Sequence, residues 1–377
     1  MKSLKIYIVI VFLLFVIGLA FYIFYYSNES IVETKNTSTS LSVEEVKNNQ
    51  NINNNLYNIE SETESSVQLS EVNNKLKQTI NILSFGDMML DRYIRKFIDN
   101  KGVKPLFTNI SPLIKDKDMV VANLEGSISN FTPKPLQPNN VQFTFDPKIV
   151  PELKKIGFTH FSLANNHSRD FGAEGVRQTK EFLDKENLKY FGDYKNKTAL
   201  SYIESIENFK IGLIGYHELF DPDTTSVVNE IKNIRDKTDF IIVYPHWGIE
   251  YKTQFSQSQQ EKAYKFIDAG ADAIIGAHPH VIQPIEIYKN KAIFYSLGNF
   301  IFDQTFSQNT QQGLAVNISL ENNNIVYEII TMQSKNLIPY ILEGTEKNKI
   351  LSTIADSSVV SDEIKSSIKS GSFNLNR

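Results

Sequence analysis

The chain has 377 residues, 41% of them hydrophobic, and a formal net charge of −4, which allows a sizeable core in one large domain or two average ones. No basic excess marks it as a nucleic-acid binder. It has no cysteine, which excludes disulfides, thiolate metal sites, a cysteine nucleophile and a lipidated N-terminal cysteine.

The first element is an apolar run, "IYIVIVFLLFVIGLAFYIFYY", 21 residues from Ile6 to Tyr26 without a charge. At about 1.5 Å per residue it is long enough to cross a hydrocarbon core of about 30 Å. A cleaved signal peptide has a shorter apolar region, roughly 7–15 residues, and a small-residue cleavage site. The exit here is aromatic and lacks an Ala-x-Ala pattern, so residues 1–26 are expected as a retained membrane anchor. Lys2 and Lys5 precede the run while Glu29 and Glu33 follow it. The positive-inside bias then places the N-terminus in the cytoplasm and the rest of the chain outside. Residues 27–78, with stretches such as "NNQNINNNLYN", bury too little apolar surface to offset their ordering entropy. They are expected as a flexible polar linker with an r.m.s. reach of roughly 40 Å.

From about Thr79 β-type runs alternate with amphipathic segments. The runs are "INILSF", "MVVANL", "FTHFSLA", "KIGLIGY", "DFIIVYP", "DAIIGA" and "KAIFYSL". Helices are expected over Leu90–Asn100, Pro147–Ile156, Ala173–Glu186 and Ser256–Ala269, the last opened by a Ser256/Gln259 capping box and closed at Gly270. Such alternation indicates α/β layering. Further on, "GLAVNISLENNNIVYEIITMQ" reads as strand, Asn-rich turn, strand, adding antiparallel pieces to a parallel core. The domain is expected over residues 79–335. Residues 336–377 are expected as a polar C-terminal extension, either short packed helices or a frayed tail.

Polar residues able to bind a metal gather where the β-type runs end. "ILSFGDMMLD" offers Asp87, and "VVANLEGS" offers Asn123 and Glu125. "FSLANNHSRDFG" gives Asn165, Asn166, His167 and Asp170, and "IIVYPHWGIE" gives His246 and Glu250. "AIIGAHPHV" gives His278 and His280, and "FYSLGNFIFD" gives Asn299 and Asp303. In α/β sheets ligands bind beyond the carboxyl ends of the strands, so these residues would converge on one spot. Singly, each has an ordinary explanation: Asp87 after Gly86 suits a turn, and Asp170 suits a local helix cap. Jointly, independent turns would not keep choosing His, Asp, Glu and Asn, so a metal site is expected. Imidazole with carboxylate suits one or two Zn, Mn or Fe ions. Pro279 would stiffen the exit that carries His278 and His280.

In this order the runs "GDMMLDR", "NLEGSIS", "LANNHSRDFG", "PHWGIEY", "GAHPHVIQP" and "YSLGNFIFD", spanning residues 86–303, resemble the CapA family of capsule and poly-γ-glutamate synthesis proteins. That family's fold belongs with the calcineurin-like metallophosphoesterases. The resemblance implies a four-layer α-β-β-α sandwich with a metal centre at the strand ends, and a membrane anchor. It implies Asp87 as the first aspartate ligand, Glu125 as the bridging carboxylate, and Asn166, His246 and His278 as ligands of a second metal. His280 would return to the first metal, and His167 would protonate the leaving group. The chain departs from the superfamily at Asp87-Met88-Met89, where the first motif is Asp-x-His, so the first metal position lacks a donor.

The chemistry expected is metal-assisted hydrolysis of a phosphoester or a γ-glutamyl amide, with Asp170 orienting His167. The rival expectations are a non-catalytic accessory that binds an emerging anionic polymer beside membrane synthase components, and a tethered phosphoesterase unrelated to capsule. Arg92 and Arg169, two of six arginines, stand within motifs and could grip carboxylate or phosphate, or form structural ion pairs. Trp247, the only tryptophan, is either a platform over the site or core. Asn123 and Asn299 are the remaining candidates for substrate contact.

Overall fold

The long apolar runs become strands buried on both faces, as a sheet covered on each side requires. The computed structural model describes residues 79–133, 135, 141–321 and 323–377; the expected anchor at 1–26 and linker at 27–78 lie outside the described residues. Among the described residues, no helix is long and apolar enough to cross a membrane. The chain runs β1 (Ile80–Met88), α1 (Arg92–Lys101), β2 (Met119–Leu124), the short pair β3 (Ser127–Ile128) and β4 (Thr144–Phe145), α2 (Ile149–Ile156), β5 (His160–Ser162), α3 (Gly172–Lys185) and β6 (Lys189–Phe191). It continues with β7 (Ser201–Ile206), β8 (Phe209–His217), α4 (Thr225–Arg235), β9 (Phe240–His246), α5 (Gln257–Ala269), β10 (Ala273–Ile275), β11 (Ile285–Tyr288), β12 (Lys291–Phe294) and β13 (Asn299–Ile301). Last come β14 (Gln312–Glu321), β15 (Asn324–Lys335), β16 (Ile338–Ile341), α6 (Gly344–Ser357), α7 (Asp362–Ser370) and β17 (Ser372–Asn376). The Ser256/Gln259 capping box is present at the start of α5, and Gly270 ends that helix in the left-handed region at φ 118°.

Two large sheets result. The first has the order β16-β15-β14-β1-β2-β5-β6, with β13 beside β1 and β17 beside β15. Its β1, β2, β5 and β6 run parallel, and β14 to β17 add antiparallel strands. The second has the order β11-β12-β10-β9-β8-β7 and is parallel from β8 through β12. Ile82, Val121 and Val316 of the first sheet share one buried cluster with Leu213, Ile242 and Phe294 of the second, so the sheets pack face to face. On the first sheet's outer side Leu83, Val120 and Phe161 share a buried cluster with Ile94 of α1, Leu153 of α2 and Leu183 of α3. On the second sheet's outer side Ile214, Val243 and Ile274 share one with Ile231 of α4 and Phe266 of α5. The domain is a mixed α/β sandwich of four layers, helix, sheet, sheet, helix.

Residues 336–377 belong to this sandwich, which therefore runs past the expected boundary at 335: the short packed helices expected as one alternative are α6 and α7, and β17 is a strand that was not expected. β17 alternates exposed and buried residues and pairs antiparallel with β15 through Ile325↔Leu375 and Tyr327↔Phe373. Phe373 and Leu375, with Leu351 and Ile354 of α6 and Ile368 of α7, complete the core between the sheets. Phe373 is 2% exposed and stacks on Tyr327 at 5.0 Å. Phe373→Ala is expected to cost about 3–5 kcal/mol in denaturant unfolding. A cost below about 1 kcal/mol would mean that the C-terminal strand is peripheral to the fold.

Candidate metal centre

Two close backbone approaches bring the strand ends together. A Cβ on Gly86 would lie 1.9 Å from the carbonyl oxygen of Gly298, and one on Gly276 would lie 2.0 Å from that of Tyr295. Only glycine lets β1 approach the Gly298 turn and lets the exit of β10 approach the chain after β12. The first contact sets Asp87 beside Asn299, and the second leads into His278. His278 and His280 both have positive φ, 97° and 58°, with Pro279 between them. Such backbone costs of order 1–3 kcal/mol per residue and persists where the surroundings over-determine it, as at ligand clamps.

Asp87, fully buried, accepts from Asn123 Nδ2 at 2.8 Å and from the His278 backbone N–H at 3.2 Å. His280 Nδ1 lies 3.0 Å from Asn299 Oδ1 and 3.2 Å from Asp87 Oδ2. Both neighbours are acceptors, so Nδ1 carries the proton and Nε2 offers its lone pair, 3.7 Å from Glu125 Oε1. His246 Nε2 donates to Asn166 Oδ1 at 2.8 Å, while its Nδ1 accepts from Asn123 Nδ2 at 3.2 Å. The His246 and His278 rings are 4.6 Å apart.

The decisive feature is Glu125. Its side chain is fully buried, and neither carboxylate oxygen has a hydrogen-bond partner among the described residues. Burial, then the charge of Asp87, pushes its carboxyl well above the usual range. For Asp87 burial acts upward, but the hydrogen bond and charge of His280 outweigh it and the net shift is downward. Burial, then His280, pushes His278 down to about 3; burial, then His278, holds His246 well below its usual value. These two rings are therefore neutral near pH 7; Nδ1 of His278 has no hydrogen-bond partner among the described residues, while His246 spends both nitrogens on Asn166 and Asn123. A buried carboxylate without partners costs several kcal/mol unless a cation or proton neutralises it. Asp87, Glu125 and His246 can offer three ligand atoms within 4.8 Å of one another, and Glu250, His278 and His280 offer a second such group. Oxygen and imidazole donors without thiolate fit divalent Mn, Zn or Fe.

His167 sits at the mouth of this cluster. Its Nδ1 bonds Asp170 Oδ2 at 2.8 Å, its Nε2 lies 3.9 Å from Glu125 Oε1, and its ring packs on Phe143 at 4.2 Å. Asp170 also accepts from the Phe143 backbone N–H at 2.7 Å and does not cap α3. Asp87, Glu125, Asn166, His167, Asp170, His246, His278 and His280, the eight residues expected at the site, thus lie together in the fold.

The residues proposed for substrate contact are placed differently. Trp247 is fully buried, donates to the Tyr295 carbonyl at 2.9 Å and belongs to the core under α4 and α5, so it is no platform. Asn123 and Asn299 are buried and spend their amides positioning Asp87, His246 and His280. Arg92 is paired with Asp303, Nε to Oδ2 at 3.1 Å, and its guanidinium lies over Phe143 and Phe302. Arg169 bonds the Tyr194 hydroxyl and stacks over that ring at 4.6 Å. Both arginines are structural. One further side chain, His217, joins the cluster without having been expected, and Asn165, expected only as a strand-end donor, has a supporting role. His217 ends β8 beside His246, and Asn165 donates to Asn123 Oδ1 at 3.0 Å and to the Leu124 carbonyl at 2.9 Å. The signal for His217 was there, since "KIGLIGYH" is another apolar run ending in a metal-binding side chain. Its Nδ1 bonds the Tyr194 carbonyl at 2.9 Å, and its buried Nε2 has no partner among the described residues.

Comparison with known proteins decides the family. The family model described as bacterial capsule synthesis protein PGA_cap matches residues 81–304, more than half of the chain. The chain belongs to that family. Within it, the chain is 27% identical over 306 residues to the capsule biosynthesis protein CapA of Bacillus anthracis, covering 75% of this chain and 74% of that one. It is 31% identical over 258 residues to the PGA biosynthesis protein CapA of Bacillus subtilis, covering 63% and 67%. A putative 5'-nucleotidase structure from Staphylococcus aureus aligns over 78% of this chain and 58% of its own, at 16% identity and a TM-score of 0.43. The PGA_cap match begins at the second residue of β1 and ends just after Asp303, so it encloses every residue of the candidate metal centre.

Proposed function

We propose that this member of the PGA_cap family acts in capsule or poly-γ-glutamate synthesis through a divalent-metal hydrolytic centre of the metallophosphoesterase type. The names of its CapA relatives support the pathway. The observation that carries the chemistry is the buried, unpartnered Glu125 carboxylate among Asp87, His246, His278 and His280. We further propose that the apolar run at 6–26 holds the protein in the cell membrane with the domain outside, next to synthase components and an anionic polymer such as poly-γ-glutamate.

Asp87, Glu125, Asn166, His246, His278 and His280 would hold one or two ions of Mn, Zn or Fe. Such an ion supplies Lewis acidity and a water acidic enough to attack near neutral pH. Asp170, fixed by the Phe143 N–H, holds the His167 ring through Nδ1 and leaves Nε2 facing the cluster. His167 in its protonated form would then donate from Nε2 to a leaving oxygen or nitrogen. With Arg92 and Arg169 engaged elsewhere, orientation of an anionic substrate falls to the centre itself.

The purified full-length chain is expected to hold about one or two equivalents of Mn, Fe or Zn by elemental analysis, lost in His278→Ala. It is also expected to cleave a phosphodiester or a γ-glutamyl oligomer. A chain that binds no metal after incubation with each ion would overturn the proposal. Met89, in place of the superfamily's histidine, favours a second reading, a metal-holding accessory that binds polymer without cleaving it. Bound metal without hydrolysis of either substrate class would establish that alternative.

A further inference from the structure

Met89 cannot repair the donor set at the first motif, because its sulfur accepts from the Asp91 backbone N–H at 3.0 Å and thioethers bind Zn or Mn poorly. A different loop offers a donor on the other side of the cluster. Glu250 stands in the exposed turn between β9 and α5, four residues after His246. A carboxylate oxygen of Glu250 and one ring nitrogen each from His278 and His280 lie within 4.8 Å of one another. His278 is 2% exposed, and its Nδ1 has no hydrogen-bond partner among the described residues. The turn is tied to the two histidines by the residue after Glu250. Tyr251 N–H donates to the carbonyl of Pro279 at 2.8 Å, and the proline is the residue between them. Tyr251 has φ 65°, and its hydroxyl accepts from Gln304 Nε2 at 3.2 Å. Glu250 is thus held in register with His278 and His280 by the backbone and not by chance proximity of a surface acid.

We infer that Glu250 is the third donor of an outer cation position shared with His278 and His280. The inference rests on the metal-centre reading above. It divides that centre into a buried position at Asp87, Glu125 and His246 and an outer one with a solvent-exposed ligand. A hard oxygen donor at the outer position suits Mn or Zn.

The test is calorimetric titration of the metal-stripped full-length chain with Mn and then Zn, comparing wild type, Glu250→Gln, Glu250→Asp and His278→Ala. Glu250→Gln is expected to weaken the weaker binding step at least about tenfold, since loss of mere supporting partners already costs 10–100-fold. Glu250→Asp should be intermediate. The melting temperatures of the stripped proteins should match, because the side chain is exposed. Wild-type affinity and stoichiometry in Glu250→Gln, alongside loss in His278→Ala, would overturn this inference and leave the metal centre standing. No binding by wild type would overturn both.

Discussion

His167→Ala is expected to lower the rate of hydrolysis by about 10²–10⁴ while leaving the metal content of the chain unchanged. The split follows from where the ring stands. Its Nε2 is 3.9 Å from Glu125, at the edge of the donor cluster, and its Nδ1 is committed to Asp170. On the function proposed above, the ring would handle a proton and contribute no bond to a cation. The measurement is kcat on whichever class the wild type cleaves, phosphodiester or γ-glutamyl amide, with elemental analysis of the same preparations. Loss of metal together with activity would make His167 a ligand. Unchanged kcat with metal in place would remove it from proton transfer.

Gly86→Ala is expected to destabilise the domain by about 3 kcal/mol or more and to displace Asp87 from the site. The added carbon would meet the carbonyl of Gly298 at 1.9 Å, against backbone that cannot swing aside as a side chain would. That carbonyl also accepts from the Asp87 N–H at 3.1 Å, so relief of the clash moves the residue that receives the His278 N–H and the Asn123 amide. Thermal melts and metal content report the two effects. A melting temperature within a degree or two of wild type would show that the approach is looser than the structure describes.

Much of this was legible in the sequence because strand ends are a local signal. An apolar run followed by Asp, Asn or His marks the carboxyl edge of a sheet wherever that strand pairs, so the eight clustered residues could be assembled without knowing strand order. What the sequence hid was direction and burial. Trp247 follows His246 directly, but alternation along the chain turns it to the opposite side, into the helix-covered core. Arg92 and Arg169 lie within motifs, and nothing local says that Asp303 and Tyr194 already hold them. Two misses were readable. α4 buries Val227, Ile231 and Ile234 at helical spacing, and β17, "SFNLN", alternates with period two under a polar composition.

The pairing of β1 sets a condition on how the domain can form. This strand lies inside the first sheet, with Ile82 opposite Met119 of β2 on one side and Ile80 opposite Leu320 of β14 on the other. A chain emerging from its N-terminal end gains the first neighbour early and waits for nearly the whole sequence before gaining the second. Until then a largely apolar strand edge is open to other chains, the usual route to aggregation. A fragment ending at residue 304, where the family match stops, would keep every candidate ligand and still lack β14, β15 and β17. The ligands and the strands that keep the ligand-bearing sheet soluble thus belong to different stretches of one cooperative unit.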